Sequence, residues 1–193
     1  MPSSAARVDA GAPLAAKKLP FFTVGHSNRP FEDFLNLLES SKIALVVDVR
    51  TVPRSRSNPQ YDRDTLPGAL AAFRFKYAHM PALGGLRAKQ RDIAPATNGF
   101  WKNASFHNYA DYAMTPAFRD GLDDLRSLGR EQRCAIMCAE ALWWRCHRRI
   151  IADYLLHDGA VVFHILSRDH VEPAKLTDAA QPGPGRTLVY PAL

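Results

Sequence analysis

The stretch FFTVGHSNRPFEDFLNLLESSKIALVVDVR, residues 21–50, decides the fold. It opens on a short apolar run, Phe21-Phe22-Thr23-Val24, and closes on a second, Ile43-Ala44-Leu45-Val46-Val47. The second run is continuous, the mark of a strand buried on both faces. Between them Phe31, Phe34, Leu35, Leu37 and Leu38 recur at spacings of three and four, which predicts a helix with one apolar stripe. The turn Gly25-His26-Ser27-Asn28-Arg29 offers Ser27 or Asn28 as the N-cap, with Pro30 in the first helical turn. Strand, helix and strand in so short a span make a βαβ unit, whose strands run parallel and whose crossover is right-handed.

The alternation continues downstream. Residues 61–73 are weakly helical, and Phe75 to Met80 alternates as a third strand. Residues 81–101 hold Gly84-Gly85, Pro95 and Asn98-Gly99 and form a long loop, a kind of segment that is often functional. Ser105 to Tyr112 predicts a short helix. Thr115-Pro116 caps and starts another, striped by Phe118, Leu122, Leu125 and Leu128 and stopped at Gly129. Arg133 to Cys138 predicts a strand, Trp143 to His157 a helix and Ala160 to Leu166 the last clear strand. The architecture expected is α/β, with a mostly parallel sheet of about five strands and helices on both faces. Residues 20–170 form its single domain. Residues 1–19 are expected to be a disordered N-terminal tail. Residues 171–193 are expected to be a Pro/Gly-rich C-terminal tail, with a short edge strand near Thr187 to Tyr190.

Composition narrows the function classes. Hydrophobic residues make up 47% of the chain and charged residues 23%, as in an ordinary globular domain. No run approaches the roughly 18 apolar residues of a membrane span, so no membrane partner is expected. The N-terminal residues carry no apolar signal core. Three clustered cysteines do not make a disulfide framework, and a cytoplasmic location is expected. The net charge is +6, and it is local. Between Arg50 and Arg91 nine Lys or Arg face only two acids, Asp62 and Asp64. Such a surface fits an anionic small molecule or nucleic acid as partner.

In parallel sheets, sites form beyond the carboxyl ends of the strands. The polar residues of this chain gather there: Gly25 to Arg29, Asp48 to Arg56, His79 to Gly85, and Cys138-Ala139-Glu140. The last leads into Trp143-Trp144-Arg145-Cys146-His147-Arg148-Arg149, and all three cysteines lie between residues 134 and 149.

Several of these motifs, in order, resemble one family. They are Thr23 to Arg29, Val47-Asp48-Val49-Arg50, Ser55 to Gln60, Leu83-Gly84-Gly85, Asn103 to Phe106, Tyr109 to Tyr112, Met137 to Glu140, and Trp144 to Arg148. Together they resemble the prokaryotic domain of unknown function 488 family over roughly Phe21 to Leu166. The resemblance implies a compact α/β domain and a cytoplasmic protein in which the matched positions form a common site. It supplies no reaction. Val46 to Arg50 on a strand and a strand-ending cysteine are also similar to rhodanese and Cys-based phosphatase architecture. The order departs from both, because no Gly-rich loop follows Cys138 and Arg145 lies seven residues on.

The candidate chemistry follows from residue types. Cys138 is a candidate nucleophile, activated by Arg145 and His147 if these lie near it. Cys134, four residues earlier, is expected in the core. Glu140 and Asp48 end neighbouring strands and are candidate acid and base groups, or else orient arginines. His147 is a candidate acid or base. His26, Ser27, Asn28, Arg29, Arg50, Arg54, Arg56, Arg145 and Tyr109 are candidate substrate contacts, the first group at a helix N-terminus. Cys138, Cys146 and His147 are the alternative as metal ligands, although Cys-x7-Cys-His is not a standard zinc spacing. The function expected is an enzyme acting on a phosphorylated or nucleic-acid-related substrate in a strand-end cleft. The alternatives are a non-catalytic nucleic-acid or nucleotide binding module, and a metal or cofactor binder.

Overall fold

A computed structural model describes residues 19–192. The tail expected at residues 1–19 lies, but for Leu19, outside the described residues. One sheet organises the chain. Its strands are β1 (Phe21–Gly25), β2 (Leu45–Asp48), β3 (Lys76–His79), β4 (Cys134–Cys138), β5 (Val162–Ser167) and β6 (His170–Pro173), in the order β3-β2-β4-β1-β5-β6. The first five are parallel, and β6 runs antiparallel to β5. The helices are α1 (Phe31–Ser40), α2 (Leu66–Ala72), α3 (Ala104–Ala113), α4 (Pro116–Glu131) and α5 (Arg148–His157).

Strand alternation divides the core in two. Phe22, Val24, Val46, Ala135 and Met137 point to one face and pack with Phe34, Leu35, Leu38, Leu66 and Leu70 of α1 and α2. Phe21, Leu45, Val47, Cys134, Ile136 and Cys138 point to the other and pack with Tyr109, Phe118, Leu122, Leu125, Ile150 and Ile151 of α3, α4 and α5. The central strands are covered on both sides, which is why they read as continuous apolar runs.

Local differences from the sequence expectation have physical causes. Ser27 does not cap α1: it sits in a turn at φ 51°, and the helix begins at Phe31 after an extended Pro30. Gly129 does not stop α4, which runs on to Glu131. It lies inside the helix because the Phe21 ring packs against it; a Cβ there would stand 2.1 Å from Phe21 Cζ. The helix expected from Trp143 is broken. A 3-10 turn at Trp143–Arg145 ends in an extended Cys146, and α5 starts only at Arg148.

The sixth strand comes from the region expected to be a tail. β6 is a largely exposed edge, so it carries no apolar run, and its pairing with β5 is made by the backbone. Farther on, β7 (Gln181–Pro182) and β8 (Leu188–Val189) form a separate two-stranded ribbon. It delivers Tyr190 to the core, fully buried, with its hydroxyl donating to Asp153 Oδ2 at 3.1 Å and its backbone N–H to Asn98 Oδ1 at 3.0 Å. Among the described residues no helix is long and apolar enough to cross a membrane.

The C-terminal strap therefore contributes to stability. Tyr190→Ala should lower the unfolding free energy by about 3–5 kcal/mol, since it removes a large buried ring and orphans a carboxylate contact. Denaturant unfolding checks this; an unchanged midpoint would show that the strap is not part of the cooperative unit.

Candidate functional site

The topology creates the crevice. β1 and β2 lead the chain to the face of α1 and α2, while β4, lying between them, leads it to the face of α5. The connections diverge at the carboxyl end of β4, where open α/β sheets place their ligands. A cleft of about 330 Å³ lies there, with Cys138, Cys146 and His147 on its floor. Arg50, Arg54, Glu140 and Arg145 supply its charges, and Val52, Leu86 and Phe106 give it apolar walls.

Beneath the cleft lies a buried polar cluster. Asp48 is fully buried at the end of β2 and takes Arg50 bidentately, Nε to Oδ1 at 2.9 Å and Nη2 to Oδ2 at 2.6 Å. Tyr77 donates to the same carboxylate at 2.8 Å. Arg50 also donates through Nη2 to the Tyr61 carbonyl at 2.7 Å, and its Nη1 lies 3.3 Å from His26 Nε2. His26 Nδ1 lies 2.7 Å from the Ser27 carbonyl, which can only accept, so Nδ1 carries the proton and Nε2 accepts from Arg50. Burial pushes His26 down to about 4, so it is neutral at pH 7. Its ring stacks on Tyr61 at 4.1 Å between centroids.

A sulfur cluster adjoins the polar one. Cys138 Sγ and Cys146 Sγ are 2.8 Å apart, and both cysteines are free. Arg148 Nε donates to Cys146 Sγ at 3.3 Å, and its Nη2 donates to the Glu140 carbonyl at 2.6 Å. Arg148 is 1% exposed, and among the described residues no carboxylate pairs with it. A buried cation needs an anion, and the sulfurs are what it touches. Burial alone would raise the Cys146 thiol. The Cys138 S–H, Arg148 and His147 outweigh burial and hold it well below the usual thiol range. Burial, together with donation to Cys146, pushes Cys138 well above that range. The donors converge on the Cys146 sulfur, which favours negative charge there over Cys138.

His147 completes the group. Its Nε2 lies 3.2 Å from the Val49 carbonyl and must donate, which leaves Nδ1 facing Cys146 Sγ at 3.5 Å. A thiol, an imidazole and a carbonyl that orients the imidazole are therefore in contact. Tyr109 packs behind the imidazole at 5.0 Å. Two glycines permit the approach: a Cβ on Gly85 would meet His147 Nδ1 at 2.5 Å, and one on Gly25 would meet the Glu140 carbonyl oxygen at 2.0 Å. Arg87 fastens the Gly-Gly loop through the Gly84, Pro81 and Ala82 carbonyls and lies over the Tyr112 ring.

The structure brings together Cys138, Glu140, His147, Arg50, Arg54 and Arg145 on one cleft. Asp48 and His26 stand behind Arg50 and orient it rather than lining the cleft. Tyr109, expected as a substrate contact, is fully buried and donates to the Leu83 carbonyl at 2.8 Å. Ser27, Asn28, Arg29 and Arg56 lie off the cleft lining; the Arg29 guanidinium donates to the Leu166 carbonyl at 2.8 Å. Among the described residues no three His, Cys, Asp or Glu side chains are grouped as a metal shell, and His147 already spends both nitrogens. The role of Arg148 was not foreseen. Its spacing of four from Ala152 and seven from Leu155 places it on the inward helix face, which is the signal that marks it.

Acid should weaken this architecture. His26 and His164 are both held near 4 in the folded state by burial, against 6.5 when unfolded. Their stabilisation is complete above pH 6.5 and is lost as pH falls through 4, about 3 kcal/mol each. Asp153, pushed up to about 6 by burial, runs the other way and regains about 3 kcal/mol over the same window. The net expectation is a loss of about 3 kcal/mol between pH 7 and pH 4, read by denaturant unfolding across that range. Histidine resonances of His26 titrating near 6.5 in the folded protein would refute it.

No curated protein and no solved structure matches the chain. One family model does, described as domain of unknown function DUF488, over residues 30–155. The match runs from the turn before α1 to the end of the apolar face of α5, and so includes Arg50, Cys138, Glu140, Cys146, His147 and Arg148. The chain belongs to the DUF488 family.

Proposed function

We propose that the chain is an enzyme that uses a cysteine thiolate on a phosphorylated or nucleotide-derived substrate held in the strand-end cleft. The observation that carries the reading is the contact set of Cys146, whose sulfur meets Cys138, Arg148 and His147 on the floor of an open, cationic cleft. Cys146, rather than Cys138, is the nucleophile, because the donors converge on its sulfur. Arg145 has no ion-pair partner among the described residues, and Arg54 is only loosely paired with Asp64 at 3.6 Å. Both are free to take an anionic group. Val52 and Leu86, exposed on the rim, suit the flat face of a base or a similar apolar part.

The sulfur attacks the electrophilic centre beside the anion, a covalent Cys146 adduct forms and the leaving group departs with a proton from water. Glu140, exposed at the cleft edge, takes a proton from the water that then displaces the sulfur. The cytoplasmic location implied by the family resemblance suits a site that needs its thiols reduced.

The test is a panel of phosphate esters and nucleotides with Cys146→Ser and Arg145→Ala. Cys146→Ser should lower turnover at least about 1,000-fold while leaving binding near wild type. Arg145→Ala should raise KM more than it lowers kcat. Turnover that survives Cys146→Ser would sink the nucleophile. Nucleotide binding that persists with no turnover across the panel would favour a non-catalytic binding module instead.

A further inference from the structure

A single thiolate explains Cys146, but not why a second thiol stands against it. Cys138 and Cys146 reach the same point from different elements, the end of β4 and the extended residue before α5. Their sulfurs are 2.8 Å apart, closer than two unbonded sulfurs pack and not yet a bond. Forming a disulfide, whose sulfurs lie about 2.05 Å apart, needs only a small shift of either side chain. Cys146 is extended and belongs to neither flanking helix, so it can make that shift without disturbing the sheet. Both residues line the cleft although each is nearly buried, so the cleft is the route by which a small reagent would approach them. Cys134, the third cysteine, is fully buried in the same strand and lies outside the cleft lining.

We propose that Cys138 and Cys146 are a two-electron dithiol couple that reduces small hydroperoxides, a second activity of the same cleft. The proposal rests on the reading of Cys146 as the thiolate. The Cys146 thiolate attacks the near oxygen of hydrogen peroxide, the O–O bond breaks, and the departing hydroxide takes a proton from solvent as water. Cys146 is now a sulfenic acid. Cys138 gives up its proton and its sulfur attacks Cys146 Sγ; the hydroxyl leaves with that proton as a second water. The two sulfurs have been oxidised and the peroxide reduced. Arg148 and the Glu140 backbone N–H, 3.2 Å from Cys138 Sγ, stabilise the negative sulfur in turn at each cysteine. A small-molecule dithiol returns the pair to the reduced state by thiol–disulfide exchange. While the disulfide stands, the cleft has no nucleophile, so oxidation and the proposed covalent chemistry exclude each other.

The experiment is hydrogen peroxide added to the full-length reduced protein, with thiols counted by alkylation after denaturation and the linkage mapped by peptide mass spectrometry. Wild type should lose two of its three alkylatable thiols as a Cys138–Cys146 disulfide, reversed by dithiothreitol. Cys138→Ala should stop at a sulfenic acid on Cys146, trapped by dimedone. Cys146→Ser should consume peroxide at least about tenfold more slowly than wild type, and Cys134→Ala at the wild-type rate. Circular dichroism confirms that each variant is folded. A variant that is not folded is replaced by Arg148→Met, which should slow peroxide consumption by a similar factor. Peroxide consumption unaffected by both Cys146→Ser and Arg148→Met, or oxidation of wild type that leaves no internal disulfide, would overturn the proposal. The readout needs no phosphorylated substrate, so it can fail while the covalent reading stands, and the reverse.

Discussion

The buried ion pair of Asp48 and Arg50 is the constraint on which the carboxyl-end architecture depends. Isolating two charges from water costs several kcal/mol per ion unless every lone pair and proton is met. Here they are met by Tyr77, the Tyr61 carbonyl, His26 and the Arg50 backbone N–H. Each partner comes from a different segment: β3, the turn before α2, the residue that follows β1 and the residues that follow β2. Satisfying one pair therefore fixes four pieces of chain. His26 must stay neutral to accept from Arg50, and its burial ensures that it does. The ends of β1 and β2 are rigid because a charge would otherwise be exposed to a low-dielectric interior.

The second buried cation works by a different logic. Among the described residues no carboxylate pairs with Arg148, and the sulfurs of Cys146 and Cys138 take that place. A carboxylate in this position would be a scaffold and nothing more. A thiolate is a counter-ion and, under the proposed function, a nucleophile as well, so the electrostatics that allow the arginine to be buried are those that would activate the sulfur. The break between the 3-10 turn and α5 makes this possible. Were the helix continuous from Trp143, Cys146 would be helical, and the extended backbone that carries its sulfur to β4 would be lost.

Much of this was legible in the chain itself. Two-sided burial of the central strands leaves continuous apolar runs, and the stripe of α1 is a plain helical period, so the α/β class could be read without coordinates. Thr115-Pro116 and the run into Cys138 were equally clear. Three things were hidden. Gly129 looked like a helix stop because a glycine contacted by a ring reads the same as a glycine that ends a helix. β6 and β7 were hidden because edge strands held by backbone hydrogen bonds carry no apolar pattern, whereas β8 falls on the short edge strand expected near Thr187 to Tyr190. Tyr109 looked like a substrate contact because its hydroxyl partner, the Leu83 carbonyl, is a backbone atom twenty-six residues away.

The sequence by itself determined the layered fold, the gathering of polar residues at the strand ends and the segments that meet there, since periodicity and strand polarity are local properties. Only the tertiary structure decided which of those residues face the cleft and which stand behind it. It turned Asp48 and His26 into supports for Arg50, set Cys146 against Cys138, and gave Arg148 its partner. The reason is physical. Charge state and orientation depend on what lies within about 4 Å through space, and those neighbours come from parts of the chain that no local pattern connects.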